Sequence, residues 1–239
     1  MIERSRKLTL FALAGVFTAS NFLDEFRLET ARRCERAGWS VESHSLLPYG
    51  DWTRSKLRQS AEIAADVCGP LVGGRRAAAD VARLAGDPAA CGVVALLGHS
   101  GGGVAAAHAA DELSRRGYRV GAVAMIGSPK TPIPKRVRDV TAFFYLGNED
   151  GSAADAIARV GGWFGRRPAR LRSLALVGGH RDYFRSRAPF LGAEGRSNLE
   201  TTAEAVAAWV NEAAAKAARP ATHASPVSND GRSQRDSET

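Results

Sequence analysis

The chain has 239 residues, 44% of them hydrophobic and 24% charged, and its formal net charge at pH 7 is +8. These values indicate a globular protein and exclude a fibrous or wholly disordered chain, and no apolar run reaches the ~18 residues of a membrane-spanning helix. The length fits one α/β domain, which we place at residues 1–218. Residues 219–239 form a tail that is predicted to be disordered, because small, polar and charged residues dominate it.

Strands and helices are predicted to alternate along the chain. Apolar or alternating runs between glycines and prolines predict strands at residues 7–14, 39–47, 93–97, 118–126, 140–146 and 171–177. Helices are predicted at residues 21–37, 51–67, 75–84, 104–116, 152–160 and 199–218, and a proline-rich loop at residues 130–138. This order predicts a three-layer α/β/α sandwich with a mostly parallel sheet, whose functional groups gather at the carboxyl ends of the strands.

The N-terminal segment fits two interpretations. Basic residues, the apolar run Leu8–Phe17 and the small residues Thr18-Ala19-Ser20 together resemble a secretory signal. The same run fits a buried strand. We favour the strand, because cleavage would remove an element that the predicted sheet needs. We therefore expect a cytoplasmic protein, with secretion as the alternative.

The cysteines indicate neither a disulfide framework nor a zinc site. Cys34, Cys68 and Cys91 are odd in number and have no Cys-x-x-Cys spacing. We interpret them as small buried apolar residues or incidental thiols. No metal ion or other cofactor is predicted.

Arginines cluster late in the chain, with few acids between them. The favoured interpretation is a solvated basic surface, and the alternative is an electropositive rim that attracts anionic substrates or membrane surfaces. No nucleic-acid partner is expected, because no RNA-binding or helix-turn-helix signature accompanies the charge. The residues concerned are Arg159, Arg166, Arg167, Arg170, Arg172, Arg181, Arg185 and Arg187.

A predicted strand, a sharp turn and a predicted helix meet at Gly98-His99-Ser100-Gly101-Gly102. This is the context that a Gly-x-Ser-x-Gly nucleophile elbow requires. Side chains at positions 98 and 102 would collide with neighbouring backbone, so glycine stands there. The following helix would direct its first N–H groups towards the negative charge that develops beside the serine. Ser100 is therefore the candidate nucleophile.

A glycine-rich turn of this kind can also cradle a phosphate or a dinucleotide. The dinucleotide fingerprint needs an acidic residue at the end of the next strand. Here that strand ends at Met125-Ile126-Gly127-Ser128, without an acid. The phosphate-binding interpretation is therefore disfavoured.

A nucleophilic serine needs a base, and the chain contains five histidines. Only His180 lies in a loop directly after a predicted strand, which makes it the candidate base. The others lie within a strand, beside the serine and pointing away, inside a helix, or in the tail: His44, His99, His108 and His223.

The base in turn needs an acid, which is expected at the end of the strand that precedes the histidine. Asp150 is the first choice. Asp155 is the alternative. It ranks second because Ser152-Ala153-Ala154-Asp155 also fits a helix capping box, which would give Asp155 a structural role instead. Glu149 is the third choice.

The chain resembles the α/β-hydrolase superfamily of serine esterases and lipases over about residues 7–218. The resemblance is carried by the Gly-His-Ser elbow, by Gly147-x-x-Asp150 and by His180, which follow the order nucleophile, acid, histidine. Ile126-Gly127-Ser128-Pro129-Lys130 adds some similarity to class 3 lipases, although Gly101 replaces their usual leucine. In that family the acid lies in an Asp-x-hydrophobic stretch, which Asp155-Ala156-Ile157 would fit.

The resemblance implies an α/β-hydrolase fold with a minimal cap and an oxyanion hole of two backbone N–H groups. One would come from Gly101 and the other from the loop after the first strand, where we favour Val16. The implied activity is hydrolysis of a small-molecule or lipid ester through a Ser-His-Asp triad and an acyl-enzyme. The alternative is an acyltransferase or a catalytically degenerate binding protein. No feature specifies an oligomeric state.

Overall fold

The structure, a computed structural model, describes residues 6–16, 18–50, 61–63, 65, 67, 72–148, 150–192 and 194–219. Several sequence predictions lie outside the described residues, namely the tail at 220–239, most of the helix at 51–67, Glu149, Cys68 and His223.

Six parallel strands form one sheet in the order β2-β1-β3-β4-β5-β6 over the described part of the chain. The strands are β1 (Arg6–Leu13), β2 (Trp39–Leu46), β3 (Val93–His99), β4 (Arg119–Ile126), β5 (Thr141–Leu146) and β6 (Arg170–Leu174). The helices are α1 (Asp24–Arg36), α2 (Gly73–Ala85), α3 (Gly101–Arg115) and α4 (Asn198–Ala218), with 3-10 turns at Lys135–Val140 and Ile157–Arg159.

Helices cover both faces of the sheet. On one face, Leu10 and Leu97 of the inner strands share a core with α1 and α4. On the other face, Phe11 and Leu96 share a core with α2 and α3. Every residue of β3 is buried because both faces are covered. The fold is therefore the three-layer α/β/α sandwich that the alternation of elements predicts.

The strand order reverses between β1 and β3, which are neighbours in the sheet. A crevice opens outside the carboxyl ends of the strands at such a point. Leu13 pairs with Gly98 in the β1–β3 register, so the two strands end level with each other. The fold thereby brings the loop after β1 against the turn after β3, which carries Ser100.

The apolar N-terminal run forms an inner strand. Residues Leu8–Leu13 are fully buried, and β1 pairs with β2 on one side and β3 on the other. The strand prediction for this run is confirmed. Cys34 and Cys91 are also buried and unpaired, as the sequence predicts. None of the described helices is both long and apolar enough to cross a membrane.

The predicted helix at residues 152–160 is wrong. Only a 3-10 turn forms there, at Ile157–Arg159, and no helix begins after Ser152. The cause is pairing with the end of β5: Ala153 bridges Gly147, and Ala154 N donates to Leu146 O at 2.8 Å. These contacts hold the segment extended, so the capping-box interpretation of Ser152 and Asp155 is also wrong.

Gly98→Ala is expected to destabilise the fold, because a Cβ at this position would lie 2.2 Å from Gly102 O. The neighbour is backbone, so the sheet and α3 would have to move apart. Overpacking of this kind costs about 1–3 kcal/mol of unfolding free energy, measurable by urea denaturation. Gly192→Ala is the control, because its nearest neighbour would be 3.6 Å away. Equal stability of the two variants would contradict this account of the turn.

Candidate active site

Ser100 occupies a strained position between β3 and α3. Its φ is +56° and its ψ is −130°, a conformation that L-residues rarely adopt and that costs about 1–3 kcal/mol. Ser100 N donates to Ile126 O at 3.0 Å, which ties the turn to the end of β4. A Cβ on Gly102 would lie 2.1 Å from Leu13 O. The collisions that the sequence predicts at positions 98 and 102 are therefore confirmed.

His180 lies in the loop after β6, and its ring reaches the serine. The Nε2 atom is 3.0 Å from Ser100 Oγ. Its side chain is 26% exposed, so part of it remains in contact with solvent. The structure thus brings together the two residues that the sequence proposes as nucleophile and base.

Asp155 completes a chain of hydrogen bonds that begins at Ser100. Its Oδ2 atom lies 2.8 Å from His180 Nδ1 and accepts the hydroxyl of Tyr183 at 3.0 Å. Its Oδ1 atom accepts the N–H of Ile157 at 2.9 Å. Burial acts to raise the pKa of Asp155, but the hydrogen bonds and the imidazole outweigh it, so the pKa lies below its ordinary value of 3.8. The carboxylate is therefore ionised at neutral pH although its side chain is wholly buried.

Asp150, the first choice of acid, lies elsewhere. Its exposed carboxylate accepts the N–H of Ser152 at 2.8 Å, within a surface turn. Hydrogen bonds from the side chain and then from the backbone N–H of Ser152 lower the pKa of Asp150. The preference for Asp150 as the partner of His180 is wrong, because Asp155, the alternative, makes the contact. The extended segment after β5 carries Asp155 towards the histidine loop.

His99 supports His180 rather than the serine. Its ring stacks on that of His180 with centroids 4.8 Å apart, and its Nε2 atom lies 3.1 Å from the backbone oxygen of His180. Burial lowers the pKa of His99 to about 3. A neutral His99 therefore donates Nε2–H to that carbonyl. Sequence reasoning expected His99 to point away from the serine but did not find this contact.

Tyr183 is the other residue that sequence reasoning missed. Its hydroxyl donates to Asp155 and accepts the N–H of Leu146 at 2.7 Å. Burial raises the pKa of Tyr183, so the hydroxyl stays protonated. No motif marks this tyrosine, and its position three residues after His180 is the only signal in the sequence.

The loop after β1 packs directly on the serine turn. A Cβ on Gly15 would lie 2.8 Å from Ser100 Cβ and 3.2 Å from Gly101 N. Thr18 Oγ1 donates to Gly15 O at 3.1 Å and so fixes the loop. Gly101 begins α3, where the first N–H groups have no acceptor within the helix. Gly101 and Val16 thus stand on adjacent backbone segments beside Ser100.

A cleft of about 340 Å³ opens over the serine. Its described lining residues are Val16, Thr18, Ala19, Phe22, His99, Ser100, Ile157, His180 and Arg181. Within the described ranges, no group of three or more His, Cys, Asp or Glu side chains is arranged to hold a metal ion. The residues present can transfer a proton from the serine hydroxyl to the imidazole, beside backbone donors.

Comparison with known proteins gives a family and a similar solved structure. A protein-family model described as alpha/beta hydrolase matches residues 58–159, a range that includes Ser100 and Asp155. No curated protein matches the chain. A structure from Xanthomonas campestris pv. campestris, provisionally described as a hydrolase of the alpha/beta superfamily, is 19% identical, with 85% of this chain and 96% of that chain covered and a TM-score of 0.43. At that TM-score the structural likeness supports no inference. The observed α/β/α fold and the match to the family model support the α/β-hydrolase superfamily.

Asp155→Asn is expected to slow the reaction of Ser100 with a fluorophosphonate, a probe of activated serines. An amide favours the wrong tautomer of His180 and cannot stabilise its cation, a change that lowers kcat by about 10⁴-fold in a known Ser-His-Asp triad. Asp150→Asn is the matched control, and its labelling rate should stay within about twofold of wild type, because Asp150 is in a surface turn. A larger effect at Asp150 than at Asp155 would contradict the geometry.

Tyr183→Phe is expected to lower the free energy of unfolding by about 1–3 kcal/mol at pH 7, since Leu146 N loses its acceptor and Asp155 loses a donor. The part of this loss of unfolding free energy that comes from Asp155 should become smaller as the pH falls. A lowered pKa contributes stability that is present above the ordinary value of 3.8 and is lost as the pH falls through the folded value.

Urea denaturation at a series of pH values from 7 down to about 3 tests this dependence. Tyr145→Phe is the control, because its hydroxyl donates only to Gly151 O in an exposed turn. If Tyr183→Phe lowers the free energy of unfolding by the same amount at every pH, the Tyr183 hydroxyl does not stabilise the ionised form of Asp155.

Proposed function

Because the chain belongs to the α/β-hydrolase superfamily, we propose that it is a serine hydrolase that cleaves carboxylic esters through Ser100, His180 and Asp155. The observation that carries the proposal is the unbroken chain of contacts from Ser100 Oγ to His180 Nε2 and from His180 Nδ1 to Asp155 Oδ2. A serine hydroxyl is a weak nucleophile and gains reactivity only from an adjacent base that a third group orients.

The first step would be the attack of Ser100 Oγ on the ester carbonyl. Asp155 accepts Nδ1–H, which leaves Nε2 of His180 as the acceptor that takes the serine proton. The ionised carboxylate then stabilises the imidazolium that forms. The strained backbone at Ser100 holds the hydroxyl at the mouth of the crevice, so the attack requires no rearrangement of the turn.

The negative charge on the carbonyl oxygen would be held by the N–H groups of Gly101 and Val16. Support for Gly101 comes from its place at the first turn of α3, where the helix dipole favours an anion. Support for Val16 comes from the packing of Gly15 against Ser100. Each donor in such a hole contributes about 3–4 kcal/mol to lowering the barrier.

His180 would next protonate the leaving alcohol, whose departure leaves an acyl-enzyme on Ser100. Water would then attack the acyl carbonyl while His180 again acts as the base. Collapse of the second tetrahedral intermediate would break the bond between the acyl carbon and Ser100 Oγ, which would take its proton back from His180 as the carboxylic acid product leaves. Water has a direct route, because the cleft is open and the histidine ring is partly exposed.

Ser100→Ala is expected to lower kcat/KM for 4-nitrophenyl esters by about 10⁴- to 10⁶-fold with the fold retained. Ser152→Ala, at an exposed serine in a turn, is the control and should keep full activity. A graded series of acyl lengths measures the size of the acyl group that the cleft accepts.

Unchanged hydrolysis by Ser100→Ala, with circular dichroism matching wild type, would overturn the assignment of the nucleophile. Labelling of Ser100 without hydrolysis, together with ester formation from an added alcohol, would identify the alternative activity, an acyltransferase.

A further inference from the structure

Among the described residues that line the cleft over Ser100, only Arg181 is charged. The other described lining residues are apolar, small or neutral, and none is acidic. His99 is held neutral by burial, which lowers its pKa to about 3. Arg181, the residue after the base, supplies the positive charge.

In the described part of the chain, Arg181 has no acidic partner. No carboxylate among the described residues forms an ion pair with it, and its side chain is exposed. The neighbouring Arg185, by contrast, pairs with Asp182 at 3.5 Å and lies over the ring of Phe190. Arg185 is thus partly neutralised by the protein, whereas the charge of Arg181 is available to a ligand.

Arg181 also stands where two cavities meet. It lines the Ser100 cleft and, together with Phe22, a second cavity of about 380 Å³. The acids of that second cavity have other partners: Asp24 lies 3.7 Å from Arg27, and Glu25 accepts the hydroxyl of Ser186 at 3.2 Å. Phe22 and Arg181 line both cavities, so a ligand that extends from the Ser100 cleft over Phe22 would pass the Arg181 cation.

The position of Arg181 is fixed by its neighbour. The backbone of His180 is held by His99 at its carbonyl oxygen, and its ring is held by Asp155 and Ser100. The residue that precedes Arg181 is therefore held beside Ser100 by its backbone and by its ring.

From these observations we infer that Arg181 selects esters that carry an anionic group, such as a carboxylate or phosphate, close to the scissile bond. The inference rests on the proposed esterase function and names its substrate class. The cation raises the local concentration of anions at the cleft and binds the anionic group in the bound ester. An exposed pair of this type changes binding by about fivefold or less in ordinary salt, so the effect is a preference rather than an absolute requirement.

Two matched pairs of esters test the inference, one for each side of the scissile bond. In the first pair the acyl group differs: mono-4-nitrophenyl adipate is anionic, and 4-nitrophenyl methyl adipate is neutral. In the second pair the leaving group differs: 4-acetoxybenzoate is anionic, and its methyl ester is neutral. The measured quantity is the ratio of kcat/KM for the anionic member to that for the neutral member, in each pair.

Arg181→Gln should lower this ratio by about three- to fivefold in at least one pair, Arg181→Glu should lower it further, and Arg181→Lys should restore most of it. Raising the salt concentration to about 1 M should lower the wild-type ratio towards that of Arg181→Gln, since the pair is exposed to solvent. Arg172→Gln, which removes the same charge from an exposed site on β6, is the control and should leave the ratio unchanged.

An unchanged ratio in both pairs for Arg181→Gln, with the neutral esters hydrolysed by wild type, would overturn the inference and leave the esterase proposal standing. An equal fall in the ratio for Arg172→Gln would also overturn it, because net charge alone would then be the cause. Failure of wild type to hydrolyse any of the four esters would overturn the inference together with the proposed function.

Discussion

A buried carboxylate is tolerated only where hydrogen-bond donors replace the water that it has lost. Asp155 obtains these donors from the ring of His180, the hydroxyl of Tyr183 and the backbone of Ile157. Tyr183 in turn accepts the N–H of Leu146, the last residue of β5. One ionised group therefore fastens the loop after β6 to the segment after β5. The distance between His180 and Ser100 depends on that attachment, because the loop that carries His180 follows β6 and is not itself part of the sheet.

The serine side of the site is positioned by backbone packing instead. Gly98 and Gly102 allow the turn and α3 to lie against the end of β1, where Leu13 O would touch any side chain at position 102. The hydrogen bond from Ser100 N to Ile126 O adds β4 as a second support. Two inner strands therefore position Ser100, and a network of hydrogen bonds brings His180 and Asp155 to it.

Local patterns explain why the fold and the strand–turn–helix setting of Ser100 could be predicted from the sequence. Apolar strand runs and the glycine spacing of the elbow are contiguous, and both reflect packing that any such sequence must satisfy. The contact between Asp155 and His180 is harder to predict from the sequence, because the two residues are 25 residues apart and meet only in the folded chain. Ser152 to Asp155 also matches a helix start, but the pairing of Ala154 with Leu146 keeps that segment extended. Tertiary hydrogen bonding overrode the local signal there.

His180 has an ionised carboxylate at one edge of its ring and a neutral imidazole against one face. In the proposed reaction, the positive charge of the His180 imidazolium would face Asp155 on one edge, which would stabilise it, and the ring of His99 on one face. A second cation at His99 would oppose that protonation, and indeed His180 contributes to keeping the pKa of His99 low, after burial. Packing of His99 against the aromatic rings of Phe22 and Phe184 is what keeps it dry and neutral. An apolar wall around His99 therefore keeps one of the two stacked imidazoles neutral.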